Sequence, residues 1–152
     1  MKQANLLVWI QLALFVLMVI GIQVFAPQSA NTLGAIGLII VIIGLAIGLM
    51  AMRDYRRGAG DSPNVSPEPK SHVPLVKNGI YSRIRHPIYT GVICIALGAA
   101  LAHGHPVVLL IALAFIPFFT YKSRFEERLL QQQYADYGDY MQHTGRFLPL
   151  KF

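Results

Sequence analysis

Leu33 to Met52 carries neither a charged nor a polar side chain. At about 1.5 Å per residue, a helix of that length reaches across the roughly 30 Å hydrocarbon core of a bilayer. It predicts a transmembrane helix. Gly44 and Gly48 within it form a small-xxx-small pair that lets another helix approach closely. Leu6 to Ala26 is a second long apolar run, interrupted only by Gln11, Gly21 and Gln23. It exceeds the roughly 7–15 residues of a signal-peptide core and no A-x-A cleavage pattern follows, so it reads as the first span. Pro27 to Thr32 forms a short polar turn in which Asn31 or Thr32 can cap the next helix.

Ile88–Ala102 and Pro106–Tyr121 complete the apolar blocks as shorter third and fourth spans, joined by the tight turn His103-Gly104-His105. Such a hairpin is expected to tilt or to lie partly in the interface. Beyond Tyr121 the chain turns polar but keeps a helical pattern to about Gln133, with Leu129 and Leu130 on its apolar side. The expected fold is therefore all-α and integral to a membrane. It has four transmembrane helices (about 6–26, 33–52, 88–102 and 106–121), a cytoplasmic connection that binds a cofactor, and a C-terminal interfacial helix. A length of 152 residues fits one domain covering 1–152.

The net charge of +6 alone would suit nucleic acid, but the basic residues lie between and after the hydrophobic blocks. Arg53, Arg56, Arg57, Lys70, Lys77, Arg83 and Arg85 crowd the connection between spans two and three. Lys122, Arg124, Arg128, Arg146 and Lys151 follow span four. The positive-inside rule then puts both termini and the long connection in the cytoplasm. Within that connection, 58–69 is rich in Gly, Ser and Pro and reads as a flexible linker. From Val73 on, Leu75, Val76, Ile80, Tyr81 and Ile84 are too apolar for a free loop. That part is expected to fold against the membrane face of the protein.

Several function classes fall away on pattern. No ionisable residue lies deep in a span, which counts against a transporter or proton relay. Gly58-Ala59-Gly60 lacks the third glycine and the strand of a dinucleotide fingerprint. The five histidines make no metal-binding spacing, and His103 with His105 reads as a turn, so no metal site is expected. The single cysteine, Cys94, sits in an apolar run and reads as a packing residue.

What remains is polar and gathers at one face. Pro87 suits the first turn of span three, which places His86 at the helix N-cap. Backbone N–H groups there, with Arg83 and Arg85 nearby, favour an anionic ligand. Glu126 and Glu127 follow span four, and a carboxylate can accept two hydrogen bonds from ribose hydroxyls. Tyr81 and Tyr89 can pack on a flat base. This composite suits a zwitterionic nucleoside. An interfacial hairpin with an Arg–Glu pair and belt tyrosines has the same composition. The residues alone leave both readings open.

Leu75-Val76-Lys77-Asn78-Gly79-Ile80-Tyr81, then Arg85-His86-Pro87-Ile88-Tyr89-Thr90-Gly91, resembles the L-V-x-x-G-x-Y…R-H-P-x-Y-x-G signature of the isoprenylcysteine carboxyl methyltransferase family. Downstream, Glu126-Glu127-x-x-Leu130 and the closing Arg146-Phe147-Leu148-Pro149 resemble the same family's E-E-x-x-L and R-F-x-P patterns. The resemblance runs from about Val73 to Pro149. It implies S-adenosylmethionine as cofactor, bound without a Rossmann domain. Leu75, Val76, Tyr81, His86, Pro87, Ile88 and Tyr89 would line its pocket, with Glu126 on the nucleoside. It also implies that Lys122, at a position where the eukaryotic members carry Arg, faces the acceptor. Arg146 is expected to fold back across the pocket mouth on the same side. The acceptor would be lipophilic or small: an isoprenylcysteine-like carboxylate, a phospholipid amine or a thiol. The partners expected are this acceptor and membrane lipids, not nucleic acid. The competing reading is a non-enzymatic membrane scaffold assembling through its glycine faces.

Overall fold

A computed structural model describes residues 2–28, 32–70 and 72–150. Asn31 and Lys151, named above as a cap and a topology signal, lie outside the described residues. The elements are α1 (Lys2–Val24), α2 (Thr32–Ala59), α3 (Pro87–His103), α4 (Pro106–Gln133) and α5 (Tyr137–His143), with a 3-10 turn at Gly79–Ser82. No strand occurs among the described residues; one isolated parallel bridge joins Ile84 to Gly145. Three helices, α1, α2 and α4, are long and apolar enough to cross a membrane, and α3 is a shorter apolar helix.

The helices pack in neighbouring pairs. α1 packs on α4, α4 on α3, and α3 on α2. Met18 of α1, Ala96 and Ala100 of α3, and Val108, Ala112, Phe115 and Phe119 of α4 make the core where three helices meet. Elsewhere α1 and α2 turn large apolar side chains outward; Trp9 and Leu49 are each 70% exposed. In water that surface would carry a heavy hydrophobic penalty, whereas lipid covers it without cost.

The α2–α3 crossing is tighter than the Gly44–Gly48 pair suggests. A Cβ added at Gly37 would stand 2.4 Å from the backbone nitrogen of Ala102, and one at Gly98 would stand 2.6 Å from the carbonyl oxygen of Gly37. Gly44 and Gly91 exclude each other's Cβ in the same way, each at 2.8 Å from the other's carbonyl. Four glycines thus let the two backbones touch, which is how helices gain dispersion energy where lipid removes the hydrophobic drive. Gly48 differs: its backbone lies 3.0 Å from where a Gly91 Cβ would stand, but a Cβ on Gly48 itself would meet nothing within 4 Å.

The helix ends depart from the expected bounds for local reasons. α2 runs past Met52 to Ala59, so Gly58 and Ala59 belong to a helix and not to the linker. Its polar extension is held by Asp54, whose Oδ2 accepts the Ile80 N–H at 2.9 Å. α4 continues without a break through Tyr121 to Gln133, so the expected interfacial helix is the end of the fourth helix and not a separate element. Gly104, at φ 79°, closes α3 in the left-handed conformation that glycine adopts without strain. The His103 ring lies 3.0 Å from the Phe25 carbonyl through Nε2, and His105 stacks on Phe25 at 4.3 Å. Both histidines therefore pin the end of α1 to the α3–α4 turn.

Gly98→Ala is expected to destabilise the fold by about 1–3 kcal/mol, the usual range for forcing a group into a packed site. Gly48→Ala should be nearly neutral. Thermal unfolding of both variants in detergent checks this, and equal losses would contradict the close α2–α3 approach.

Candidate active site

The cavity at the polar end of the bundle has a volume of about 330 Å³. That is within the roughly 300–1,000 Å³ typical of small-molecule sites. Its wall draws on every long helix: Gln11 from α1, Met52 and Tyr55 from α2, the start of α3, and Phe119, Lys122, Glu126 and Leu130 from α4. Residues 63–66, 68–70 and 73–76 close another side, and Tyr134, Tyr137 and Tyr140 complete it.

The segment read as a flexible linker is part of this wall. Pro67 is fully buried. Lys70 donates to Asp61 Oδ2 at 2.6 Å and to the Ser62 carbonyl at 3.1 Å, folding the segment into a loop. That Lys70 bond, more than any other group, holds the Asp61 carboxyl below its usual range. Gln133 Nε2 donates to the Lys70 carbonyl at 3.0 Å, and Lys122 Nζ donates to the Val65 carbonyl at 2.7 Å. Composition signalled flexibility here because Gly, Ser and Pro disfavour regular structure, but proline also packs as a rigid apolar body.

The two adjacent glutamates do different work. Successive helix residues point about 100° apart. Glu127 is turned inward and buried. Its Oε1 accepts from Arg85 Nε at 2.8 Å, and its Oε2 accepts from Arg146 Nη2 at 2.6 Å. His86 Nε2 approaches Oε1 at 3.3 Å without the alignment of a hydrogen bond. Glu126 faces the cavity. Its Oε2 accepts the Tyr89 hydroxyl at 2.8 Å and lies 3.6 Å from His86 Nδ1. Its Oε1 has no partner among the described residues, so an acceptor oxygen stands open at the wall.

Around Glu127 the C-terminal segment locks onto the start of α3. The Arg85 N–H donates to the Gly145 carbonyl at 2.9 Å, and the His86 N–H donates to the Arg146 carbonyl at 3.0 Å. Gly145 returns a bond to the Arg83 carbonyl at 3.0 Å. Thr90 Oγ1 donates to the Phe147 carbonyl at 2.8 Å. A Cβ at Gly145 would fall 1.8 Å from the Leu148 carbonyl oxygen, so only glycine permits this fold-back. Arg85 also donates through Nη1 to the Met141 and Thr144 carbonyls. The Tyr140 hydroxyl donates to the Tyr81 carbonyl at 2.6 Å, which ties α5 to the 3-10 turn. Burial pushes the Tyr140 phenol above its ordinary range, so it remains a donor.

Of the residues singled out in the sequence, Leu75, Val76, Tyr81, His86, Pro87, Ile88, Tyr89, Lys122 and Glu126 all line this one cavity. Arg146 does not: its guanidinium is spent on Glu127. Its expected reach across the pocket mouth fails because Glu127 supplies a buried countercharge closer at hand. Pro87 is the first residue of α3 and His86 its N-cap, as the proline position demands, although the imidazole itself makes no capping bond. The Tyr89 ring lies parallel to His86 at 5.4 Å and tilted against Phe119 at 4.8 Å. Sequence reading missed Gln11, Met52, Tyr55 and residues 63–66 and 68–70 as wall residues. The one signal for Gln11 was an amide inside an apolar span.

An all-helical bundle with membrane-length helices and a polar-ended cavity is the frame. Residues 32–137 match the phospholipid methyltransferase family, and the chain belongs to that family. It is 31% identical over 131 residues to the protein-S-isoprenylcysteine O-methyltransferase of Saccharomyces cerevisiae, a match covering 84% of this chain and 54% of that protein. With the enzyme of the same name from Schizosaccharomyces pombe it shares 33% identity over 115 residues, covering 69% of this chain and 48% of that one. The fold also matches a eukaryotic intramembrane Ras methyltransferase, an isoprenylcysteine carboxyl methyltransferase. The TM-score is 0.69 at 25% identity, over 98% of this chain and 52% of the other. The chain thus spans about half the length of these relatives.

Removing one partner of a buried ion pair costs about 3–5 kcal/mol, because the other charge is left uncompensated. Glu127→Ala strands Arg85, which is 8% exposed, and should show a loss of that size. Arg146 is 26% exposed, so Arg146→Ala should cost clearly less. Unfolding midpoints of the two variants in detergent decide the order.

Proposed function

We propose that this chain is an S-adenosylmethionine-dependent methyltransferase acting at the cytoplasmic face of a membrane on a lipophilic or small acceptor. The observation that carries the reading is one cavity with both an open carboxylate oxygen, on Glu126, and a fully buried ammonium, on Lys122. The donor set fits the cofactor. Glu126 Oε1 is an unpaired acceptor suited to a ribose hydroxyl. Tyr81, Ile88 and Leu75 give flat and apolar surface for a base. When bound, S-adenosylmethionine would supply an activated methyl group to the acceptor.

The protein's own contribution is alignment and exclusion of water. Tyr89 holds Glu126 by its Oε2 and so aims Oε1 into the cavity. Glu127, fixed by Arg85 and Arg146, stands against His86 and braces that residue in the cavity wall. Arg146 acts through Glu127 as a positioning residue. Lys122 faces the acceptor. The relatives' names specify an isoprenylcysteine carboxylate and the family's description a phospholipid, both reached from within a bilayer. We take α3 as a fourth, short crossing, so that both termini and the cavity are cytoplasmic. The lysine and arginine distribution supports this orientation.

Calorimetry should show S-adenosylmethionine binding to the purified chain in detergent. Glu126→Ala should weaken it by about 1.5–3 kcal/mol for each lost hydrogen bond to the carboxylate. Lys122→Ala should leave cofactor affinity nearly unchanged and lower methyl transfer into a lipid extract. Equal cofactor binding by Glu126→Ala and unaltered protein would sink the assignment. Cysteine labelling should find position 103 on the side opposite the termini; cytoplasmic labelling there would overturn the topology.

A further inference from the structure

The charge-free run of α2 ends at Met52, and Arg53 follows it directly. A second cavity, of about 350 Å³, opens beside that point, lined by Arg53, Asp54, Arg57, Gly58, Asn78 and Gly79. None of the six lines the active cavity. The two cavities lie back to back where Val76 of the first packs on Gly58 of the second; its Cγ1 would stand 2.8 Å from a Cβ there. Arg53 and Arg57 are four residues apart and share one face of α2. Asp54 has both oxygens engaged: Oδ1 accepts from Arg53 Nε at 2.9 Å, and Oδ2 accepts the Ile80 N–H at 2.9 Å. It lies in the field of both arginines. Two guanidiniums against one carboxylate leave one positive charge over. Arg57 is exposed and makes no hydrogen bond or ion pair among the described residues. The Asn78 amide, also exposed, makes no side-chain hydrogen bond among them either.

We propose that this second cavity binds the phosphate of an anionic phospholipid, at a site separate from the active cavity. The site goes beyond the methyltransferase reading and does not depend on it. A phosphodiester carries one negative charge and matches the one positive charge left over. Arg57 offers a planar fork to two phosphate oxygens. Arg53 adds the guanidinium protons that Asp54 leaves unused, and the Asn78 amide meets the headgroup beyond the phosphate. Depth favours a lipid phosphate over a soluble one. Arg57 lies about 6 Å along the axis from Arg53, and the headgroup layer occupies roughly 5–7 Å beyond each face of the hydrocarbon core. The same helix face continues into the bilayer through Leu49 and Leu45, one and two turns before Arg53, which are 70% and 48% exposed. An acyl chain of the bound lipid lies along that stripe. The lining has no aromatic ring to receive a choline ammonium, and its one carboxylate is already engaged, so an anionic headgroup fits better than a zwitterionic one.

The test is lipid titration of the full chain in neutral detergent, where no charged surface contributes, read by native mass spectrometry of the protein–lipid complexes. The probes are phosphatidylglycerol and phosphatidylcholine with the same acyl chains. The unaltered protein should bind phosphatidylglycerol about fivefold or more tightly, the worth of one basic side chain against an anionic headgroup. Arg57→Gln should weaken phosphatidylglycerol about tenfold, the size of one hydrogen bond to a charged group. Arg56→Gln is the control: it removes the same charge at the same helix end, but Arg56 does not line the cavity. Its phosphatidylglycerol affinity should stay within about twofold of the unaltered protein, since no direct bond is lost. Asn78→Ala alters neither charge and should weaken phosphatidylglycerol by about threefold, as one neutral hydrogen bond would. It gives an independent reading should the arginine variant fail to fold. Equal losses in the Arg56 and Arg57 variants would show diffuse attraction and overturn the site, as would equal binding of the two lipids by the unaltered protein. Inorganic phosphate that displaces phosphatidylglycerol at equal concentration would overturn the lipid assignment and make the occupant a soluble phosphate.

Discussion

The buried pair between Arg85 and Glu127 joins three stretches of chain that are distant in sequence: the start of α3, the polar end of α4, and the segment after α5. A carboxylate and a guanidinium taken out of water lose hydration that their attraction alone does not restore. The surroundings make up the difference. Arg146 covers the second carboxylate oxygen, and carbonyls of Met141 and Thr144 take further guanidinium protons. The backbone bonds of Arg85 and His86 to Gly145 and Arg146 then hold the N-terminus of α3 in register with the C-terminal segment. The cavity inherits its shape from this arrangement, because His86, Pro87 and Tyr89 enter it from the turn that Arg85 anchors.

At the other end of the bundle the order is set by an absence of side chains. Gly37, Gly44, Gly91 and Gly98 bring α2 and α3 into backbone contact, which fixes where the polar end of α2 emerges. That end presents Met52 and Tyr55 to the cavity and Asp54 to the 3-10 turn. A loose crossing would let Tyr55 and Val76 drift apart, and the apolar cluster of Ala51, Val76 and Tyr81 would open. Helix packing deep in the bilayer and cavity shape at its surface are thus one problem.

Much of this was readable from residue order. Charge-free runs marked the spans, Pro87 marked the first residue of α3, and the four-residue spacing of Lys122 and Glu126 put both on one face. What the sequence concealed depended on contacts across the chain. Glu126 and Glu127 look alike as letters and differ only in which way α4 turns them. Arg146 seemed free to reach the pocket mouth, and nothing local showed that Glu127 would claim it. Residues 60–70 have the composition of a tether, yet Lys70, Gln133 and Lys122 bind the segment down as a wall. Gly37, Gly91 and Gly98 gave less signal than Gly44 and Gly48, because a glycine's importance depends on the backbone opposite it.

In the proposed reaction the decisive distance is built into α4. Four residues of helix rise about 6 Å, so Lys122 and Glu126 hold two ends of the cavity apart by a spacing that the backbone, and not side-chain flexibility, sets. Tyr89 lies between them, bonded to Glu126, 5.5 Å from the ammonium and stacked with His86 and Phe119. A ring wedged on that many sides has little freedom to move. The two ends of the cavity therefore shift together with α4 and not separately. A direct displacement needs little else from a protein: the sulfonium already carries the activation, and alignment to within a fraction of an ångström carries the rate. A site assembled on two packed helices, with its second glutamate buried behind it as a brace, would meet that demand.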